Sequence, residues 1–262
     1  MTHVLIVGNN TYATEAEALA YLETRLKSMT LWPALAQATK LAALSSAFYM
    51  LETMWAWKGT KTGVTQLATV AVGAGGTGYT VGDIATLVGG AGEAAQVKVL
   101  TAPGGIVATF QLIHTGYYTT APSGTLATTG GTGTGLTVTF TAHDEQQTDW
   151  PRTGTGVDGV SDGSVPDAIK EGQIQLAFEL TQDADLESAT NANANTRRMQ
   201  VGSLSIEYFR AEVRNRFPTI VWSLIAELVG SDGSDAAPKA YGGDGESSFE
   251  ETSPSGITGG GY

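Results

Sequence analysis

The chain has 262 residues, a formal net charge of -12 and no cysteine. This length suits one large domain or two small ones, and a hydrophobic content of 42% permits a packed core. The absence of cysteine excludes disulfides and thiolate metal sites, and the negative charge disfavours non-specific attraction of the whole chain to nucleic acid.

The sequence offers little support for metal, cofactor or membrane sites. The three histidines, His3, His114 and His143, are too scattered for a metal or catalytic cluster. No stretch approaches the roughly 18 apolar residues of a membrane span, and the apolar run at 4–7 is too short for a signal-peptide core. We therefore expect a soluble, unprocessed protein without cofactor or metal, in which residues 4–7 form a short strand or a docked terminus.

Helical patterns dominate the first 60 residues. Thr14, followed three positions later by Glu17, matches a capping box, and leucines at helical spacing predict a helix over 15–28. An Ala-rich pattern predicts a second helix over 32–55, which Gly59 can end.

Residues 62–146 have a different composition, dominated by Gly, Thr, Val and Ala and almost free of charge. Short runs separated by glycine clusters predict strands at 69–72, 96–99, 107–113 and 136–140. The segment also repeats itself with an offset of about 38 to 41 residues. The matching stretches are Gly78-Tyr79-Thr80 with Gly116 to Thr119, Thr86-Leu87 with Thr125-Leu126, and Val97-Lys98-Val99 with Val138-Thr139-Phe140. Two copies of one β unit, paired into one small inserted domain, explain this pattern.

Helical patterns return after residue 150. Pro166 marks the start of a helix that runs to about 182, residues 199–208 alternate as an extended segment, and a last helix is expected over 218–229. From residue 230 the chain is rich in Gly, Ser and acids, and we expect this tail to be disordered in isolation.

These patterns together predict an α+β multidomain protein. A small all-α helical core is interrupted by an all-β domain made of two repeats, and an extended acidic tail follows. The predicted boundaries are 1–61 for the first half of the core, 62–146 for the insertion, 147–229 for the second half and 230–262 for the tail.

Two polar motifs have competing interpretations. Residues 73–78 satisfy G-x-G-x-x-G, but strand-like sequence follows where a dinucleotide site needs a helix, so turn glycines are favoured. A Gly-rich stretch contains three aspartates, Asp158, Asp162 and Asp167, which are either Ca²⁺ ligands or solvent-exposed turn residues. Their spacing matches no recognised calcium-binding loop, which favours turn residues. Because no nucleophile lies beside a base and no acid pair stands in an apolar setting, we expect no enzymatic activity.

Two further sets of residues are candidate interaction sites. Tyr79, Tyr117 and Tyr118 either form an exposed platform for glycans or a host surface, or pack inside the inserted domain. The second set is a basic segment. It either contacts DNA or an acidic partner, such as the tail of a neighbouring copy, or forms a solvent-exposed face with local ion pairs. Its arginines are Arg197, Arg198, Arg210, Arg214 and Arg216, with Glu207 and Glu212 between them.

Two motifs flank the inserted segment: Trp57-Lys58-Gly59 before it and Trp150-Pro151-Arg152-Thr153-Gly154 after it. The second is the more specific, and segments at 34–39, 165–170 and 201–208 accompany them in a fixed order. This arrangement resembles the head–tail connector, or adaptor, proteins of tailed bacteriophages, whose sequence family is often labelled DnaT-like ssDNA-binding. The resemblance covers the chain on both sides of the insertion, which is itself a departure from the family pattern.

The resemblance implies a structural virion protein with a small helical connector core, assembled in the host cytoplasm. Its copies, commonly twelve, would form a ring between the portal and the tail or stopper protein, with the capsid as a further neighbour and no membrane involved. DNA would pass through this ring during packaging and ejection without specific binding. The alternative is a single-stranded DNA-binding protein, as the family label suggests. The expected structural anchors are Trp57, Gly59, Trp150, Pro151, Arg152 and Gly154.

Overall fold

The computed structural model describes residues 4–183, 198–201, 204–207 and 218–230, with the backbone alone for the two short segments between 198 and 207. Within these residues the chain forms twelve β-strands and five α-helices. The largest sheet is a nearly closed antiparallel sheet of six strands. The predicted fold class, an α+β multidomain protein with a small all-α connector core, is therefore wrong: the described chain is mostly β.

The helices lie in two groups, before and after the six-stranded sheet in the chain. They are α1 (Glu15–Glu23), α2 (Ser28–Ala34), α3 (Gln37–Met54), α4 (Asp167–Gln182) and α5 (Thr219–Ile225). The capping box at the start of α1 is confirmed, because the N–H of Glu17 donates to the Thr14 hydroxyl (3.1 Å) and the N–H of Thr14 donates to the Glu17 carboxylate (2.6 Å). Helix α4 begins directly after Pro166, as the sequence predicts.

The structure divides the first two predicted helices into three. Ser28 starts α2 after a turn, which its hydroxyl closes by donating to the carbonyl of Leu22 (2.8 Å). Pro33 lies within α2, where its missing N–H removes one helical hydrogen bond. Leu35 and Ala36 then take extended backbone angles, and α3 begins at the next residue.

Twelve strands form four antiparallel sheets within the described residues. The strands are β1 (Thr60–Lys61), β2 (Leu67–Thr77), β3 (Ile84–Val88), β4 (Ala91–Glu93), β5 (Gln96–Thr101), β6 (Thr109–His114), β7 (Tyr117–Thr120), β8 (Leu126–Thr129), β9 (Thr134–Ala142), β10 (Arg152–Thr153), β11 (Arg198–Val201) and β12 (Leu204–Glu207). The six-stranded sheet has the order β2-β9-β8-β3-β5-β6. The three two-stranded sheets pair β1 with β10, β4 with β7, and β11 with β12.

The two sequence repeats build the six-stranded sheet by exchanging strands. The first repeat contributes β2, β3 and β5, and the second contributes β6, β8 and β9. Within the first repeat β3 pairs with β5, and within the second β8 pairs with β9. The first strand of each repeat pairs instead with the last strand of the other repeat: β2 pairs with β9, and β6 pairs with β5. The second strands, β3 and β8, join the two halves. The sheet therefore has an internal two-fold pseudosymmetry, and neither repeat completes it alone.

The sheet almost closes where the first strands of the two repeats, β2 and β6, approach each other. At one end of this seam the N–H of Leu67 donates to the carbonyl of Thr115 (2.9 Å). At the other end the N–H of Val107 donates to the carbonyl of Gly75 (2.9 Å). The N-terminal segment adds to the closure, since Val7 lies parallel to β6 and its carbonyl accepts a hydrogen bond from the N–H of Thr115 (2.9 Å).

Two clusters of buried apolar side chains stabilise the fold. One fills the interior of the six-stranded sheet, and the other lies among the five helices. Val64 and Tyr117, which belong to the glycine- and threonine-rich segment, are buried in the helical cluster, while Ile6 packs against the sheet cluster. The helices thus share their core with the β segment, and this sharing is the physical reason why they do not form an all-α unit of their own.

Candidate functional site at the junction of helices and sheet

The two motifs that flank the inserted segment meet in space. Strands β1 and β10 pair directly, with Thr60 opposite Thr153 and Lys61 opposite Arg152. The side chains of Trp57, three residues before β1, and Trp150, two residues before β10, are in edge-to-face contact, with ring centroids 5.9 Å apart. The chain therefore leaves the helical side and returns to it at nearly the same place.

Arg152 holds this junction together through backbone carbonyls. Its guanidinium donates to the carbonyls of Lys58 (2.8 Å), Gly59 (2.6 Å) and Trp57 (3.3 Å), and also to that of Asp149 (3.2 Å). The planar, always charged guanidinium has five N–H donors in a fixed geometry, which suits several acceptors at once. The two motifs are thus parts of one structural unit, which we call the carbonyl clamp.

The other expected anchors lie around the carbonyl clamp. Gly59 has φ +73°, and a Cβ placed there would lie 2.3 Å from the carbonyl oxygen of Thr153, so glycine is required both for the backbone angle and for the close approach. Pro151 follows a cis peptide bond. The N–H of Gly154 donates to a carboxylate oxygen of Asp162 (3.0 Å), which accounts for this aspartate as a turn residue.

A half-buried carboxylate lies next to the carbonyl clamp. Glu52, on α3, accepts hydrogen bonds from the hydroxyl of Tyr12 and from the N–H of Asp149 (3.0 Å). The same tyrosine oxygen accepts from the N–H of Trp150 (3.1 Å), and Lys61 forms an ion pair with Asp149 (3.3 Å). These groups form a polar cluster that joins the N-terminal segment, α3 and the strand that returns from the sheet.

Burial changes the acid–base properties of this cluster. It raises the pKa of Glu52 to about 7, because desolvation and the nearby Asp149 outweigh the hydrogen bond from Tyr12, the N–H of Asp149 and the charge of Lys61. Burial also raises the pKa of Tyr12 well above its ordinary value, and the adjacent Glu52 adds to this rise. Glu52 therefore titrates near neutral pH, although nothing in the cluster resembles a nucleophile paired with a base.

A buried glutamine fastens the N-terminal segment to the helices. The amide oxygen of Gln173 accepts from the N–H groups of Tyr12 (2.8 Å) and Ala13 (3.2 Å). Its amide nitrogen donates to the hydroxyl of Thr11 (2.8 Å) and to the carbonyl of Leu44 (2.7 Å). All of this residue's polar capacity is used, so it specifies one position of the segment between sheet and helices.

Two further glutamines fasten the sheet to the same junction. Gln66 donates to the carbonyl of Gly8 (2.6 Å) and accepts from the N–H of Gln147 (2.7 Å). Gln146 donates to the carbonyl of Pro151 (2.9 Å). Sequence reasoning missed these glutamines because a lone polar residue gives no pattern. For Glu52 a signal exists: the position is four residues after Phe48, on the apolar stripe of α3.

The basic segment is described only in part. Arg198 begins β11 and lies opposite Glu207, the last residue of β12. The side chains of this hairpin, and residues 197 and 208–217 altogether, lie outside what the structure describes, and so do Arg197, Arg210, Arg214 and Arg216. The acidic tail from residue 231 onward also lies outside the described residues.

The tyrosine platform proposed for glycan binding is wrong. Tyr79, Tyr117 and Tyr118 have 3%, 1% and 1% of their surface exposed, so they offer no face to a sugar. The hydroxyl of Tyr118 instead accepts from the N–H of Ala95 (2.8 Å), and the ring packs in the sheet core. Tyr118 is thus a packing residue whose hydroxyl has a hydrogen-bond partner.

The remaining motifs support neither nucleotide nor metal binding. Residues 73–77 of the G-x-G-x-x-G stretch lie within β2, and a turn follows, so no helix N-terminus is available for a pyrophosphate. Among the described residues, no group of three or more His, Asp or Glu side chains is placed to hold a metal ion. Nor does any described helix have the length and apolar character needed to cross a membrane.

A family model described as "Putative DnaT-like ssDNA binding protein" matches residues 140–241. The matched range includes the returning half of the carbonyl clamp, helices α4 and α5, and the β11–β12 hairpin. Helices α1 to α3 and most of the six-stranded sheet lie outside it. No curated protein and no solved structure matches the chain. The similarity to this family is therefore confined to the part of the chain that follows the sheet.

The steric requirement at Gly59 leads to a stability prediction. We expect Gly59→Ala to lower the free energy of unfolding by about 2–4 kcal/mol, because it combines a left-handed backbone with displacement of β10. Gly63→Ala is the matched control, since Gly63 has φ +75° but no atom within 4 Å of the added Cβ. Urea unfolding should show a loss of only about 1 kcal/mol for the control. Equal losses would contradict the role of the close approach.

The raised pKa of Glu52 leads to a prediction of pH dependence. The folded protein holds this proton up to about pH 7, whereas an unfolded glutamate releases it near 4.5. Between these values the folded state binds more protons, so this group's contribution to stability falls as the pH rises. The full change is about 3 kcal/mol for a shift of this size.

Glu52→Gln removes this titration and should flatten the stability curve between pH 4.5 and 7. Three other carboxylates, Glu17, Asp83 and Glu93, have lowered pKa values, so their contributions to stability rise with pH at lower pH. The quantity to measure is therefore the difference in free energy of unfolding between the wild type and Glu52→Gln. Parallel curves for the two proteins in urea would show that Glu52 is ionised throughout the range.

Proposed function

We propose that this protein is a non-enzymatic structural protein that contacts single-stranded nucleic acid through residues 197–216. The observation that carries the proposal is the concentration of basic residues there. Five of the fourteen basic residues of an otherwise acidic chain lie in this segment, against two glutamates. Phosphate contacts made by such side chains supply most of the affinity in sequence-independent binding.

The geometry of the β11–β12 hairpin supports this proposal. Antiparallel pairing puts Arg198 opposite Glu207, so the chain enters and leaves the hairpin at the same end. Tyr208 and Phe209 follow immediately, and aromatic side chains of this type stack on unpaired bases. The match to a family described as ssDNA-binding includes the whole segment.

Binding of a labelled oligothymidylate, followed by fluorescence anisotropy at increasing salt concentration, tests the proposal. We expect the logarithm of the affinity to fall with the logarithm of salt with a slope of about -0.7 per phosphate contact. Arg210→Glu combined with Arg214→Glu should weaken binding at least about tenfold, since two contacts become repulsive.

Lys27→Glu combined with Lys40→Glu is the control, because it changes the net charge by the same amount on the helical side. It should leave binding within about twofold of the wild type, because neither lysine belongs to the arginine segment and a change in net charge alone is largely screened by salt. Absence of binding at low salt, or equal weakening by both double variants, would rule out the arginine segment as the nucleic-acid contact.

A second candidate is the adaptor ring between the portal and the tail of a bacteriophage. The observation in its favour is that the most specific motifs of the resemblance are parts of one unit, the carbonyl clamp, so the pattern shared with connector proteins has a structural cause. In such a ring, copies make heterologous contacts, in which one patch binds a different patch on the next copy. The acidic tail of one copy would suit the arginine segment of its neighbour.

Electron microscopy of purified particles tests this second candidate. We expect the protein in mature virions, as a ring at the head–tail vertex, and a measured mass of the isolated assembly that is a multiple of the 27.1 kDa chain. Absence of the protein from mature virions would exclude the adaptor role. That result would leave oligonucleotide binding unaffected, so the two candidates can be separated.

A further inference from the structure

One outer face of the six-stranded sheet is unusually apolar. Val81, Ile84, Val88 and Leu100 have 68%, 47%, 49% and 45% of their surface exposed. Ile84 and Val88 point outward from β3, Leu100 points outward from β5, and Val81 lies in the turn before β3. We call these four residues the β3–β5 face.

The hydrogen-bond register makes these residues neighbours. Strands β3 and β5 are adjacent and antiparallel, with Ile84 opposite Lys98. The turn before β3 is also tied to β5, since the N–H of Gly82 donates to the carbonyl of Val99 (2.9 Å) and the N–H of Val99 donates to the carbonyl of Asp83 (2.8 Å). Val81 and Ile84 therefore lie beside Leu100 on one continuous surface.

The second repeat shows that folding does not require this apolar surface. Ala85 pairs with Val97 in the first repeat as Leu126 pairs with Val138 in the second, so Ile84 matches Thr125 and Val88 matches Thr129, while Leu100 matches Thr141. These three residues are exposed as well, and the two repeats have the same strand pattern. The same outward positions are thus filled by small or polar residues in one repeat and by large apolar residues in the other, so the apolar choice has a cause other than the fold.

The charges around the β3–β5 face are few and of both signs. Across residues 62–142 the charged side chains are Asp83, Glu93 and Lys98, although the whole chain has a net charge of -12. Lys98 lies opposite Ile84, and Asp83 immediately precedes it. The carboxylate of Asp83 accepts hydrogen bonds from Thr80 (2.9 Å) and from Thr132 (3.0 Å), which keeps it at the edge of the face. The face therefore has one cation and one anion flanking an apolar centre.

We propose that the β3–β5 face is a contact between two copies of this chain. A two-fold, isologous pairing buries the four apolar residues against their counterparts and brings Lys98 of each copy to Asp83 of the other. A second copy is the partner that the charges favour, because the face carries one anion and one cation, Asp83 and Lys98, which two copies related by a two-fold axis can pair with each other. The patch is small, so the contact is weak between free chains and strong where copies are already held together.

Single-cysteine crosslinking of the full chain tests the contact. Because the protein has no cysteine, Ile84→Cys introduces one thiol on the face, and Thr125→Cys introduces one at the matched position of the other repeat. With a short bis-maleimide reagent at equal protein concentration, we expect dimers of the Ile84→Cys protein to form at least tenfold faster. Val88→Cys gives an independent position on the same face, should Ile84→Cys fail to fold.

The apolar contribution can be separated from random collision by a second change. Leu100→Thr, which installs the residue of the second repeat, should reduce crosslinking of the Ile84→Cys protein to the rate of the Thr125→Cys control. Circular dichroism and thermal unfolding should show the same fold and stability for all variants. Equal crosslinking rates at the two matched positions, or no effect of Leu100→Thr, would overturn the proposal and leave the face to a partner other than a second copy.

Discussion

The structure depends on one side chain that binds the backbone at both ends of the inserted segment. Arg152 donates to the carbonyls of Trp57, Lys58 and Gly59, and so ties the strand that returns from the sheet to the chain that leaves the helices. A guanidinium bound by several acceptors in a partly buried place is a stronger restraint than one surface ion pair. The sheet can therefore interrupt the helical chain while the two flanking segments stay in register.

The sheet is stabilised by an exchange that makes its two repeats depend on each other. The first strand of each repeat, β2 or β6, pairs with the last strand of the other repeat. The N-terminal segment at Val7 lies beside β6, where the sheet is not fully closed. A nearly closed sheet exposes few unpaired N–H and C=O groups, so it resists the edge-to-edge association that open sheets undergo. Its outer faces are then free to differ, and only the first repeat has an apolar one.

Polar groups, rather than apolar contact alone, determine how sheet and helices are joined. Gln66, Gln146 and Gln173 each satisfy several backbone groups at the junction, and the half-buried Glu52 accepts a further backbone N–H there, that of Asp149. Buried amides and carboxylates are costly unless their hydrogen bonds are made, so they favour a single arrangement of the parts they connect. The charge that contacts nucleic acid in our proposal lies elsewhere, in the segment after α4, which leaves the junction a structural role.

The sequence by itself determined the features that act over a few residues. The capping box at Thr14, the start of α4 after Pro166, the glycine-separated strands and the two repeats all follow from local patterns that need no distant partner. Only the tertiary structure decided which strands pair, because exchanging β2 and β6 between repeats satisfies the local patterns equally well. It also decided that Tyr117 is buried with the helices and that the fold is mostly β. These outcomes depend on contacts between residues far apart in the chain, whose free energy exists only when all the surfaces pack together.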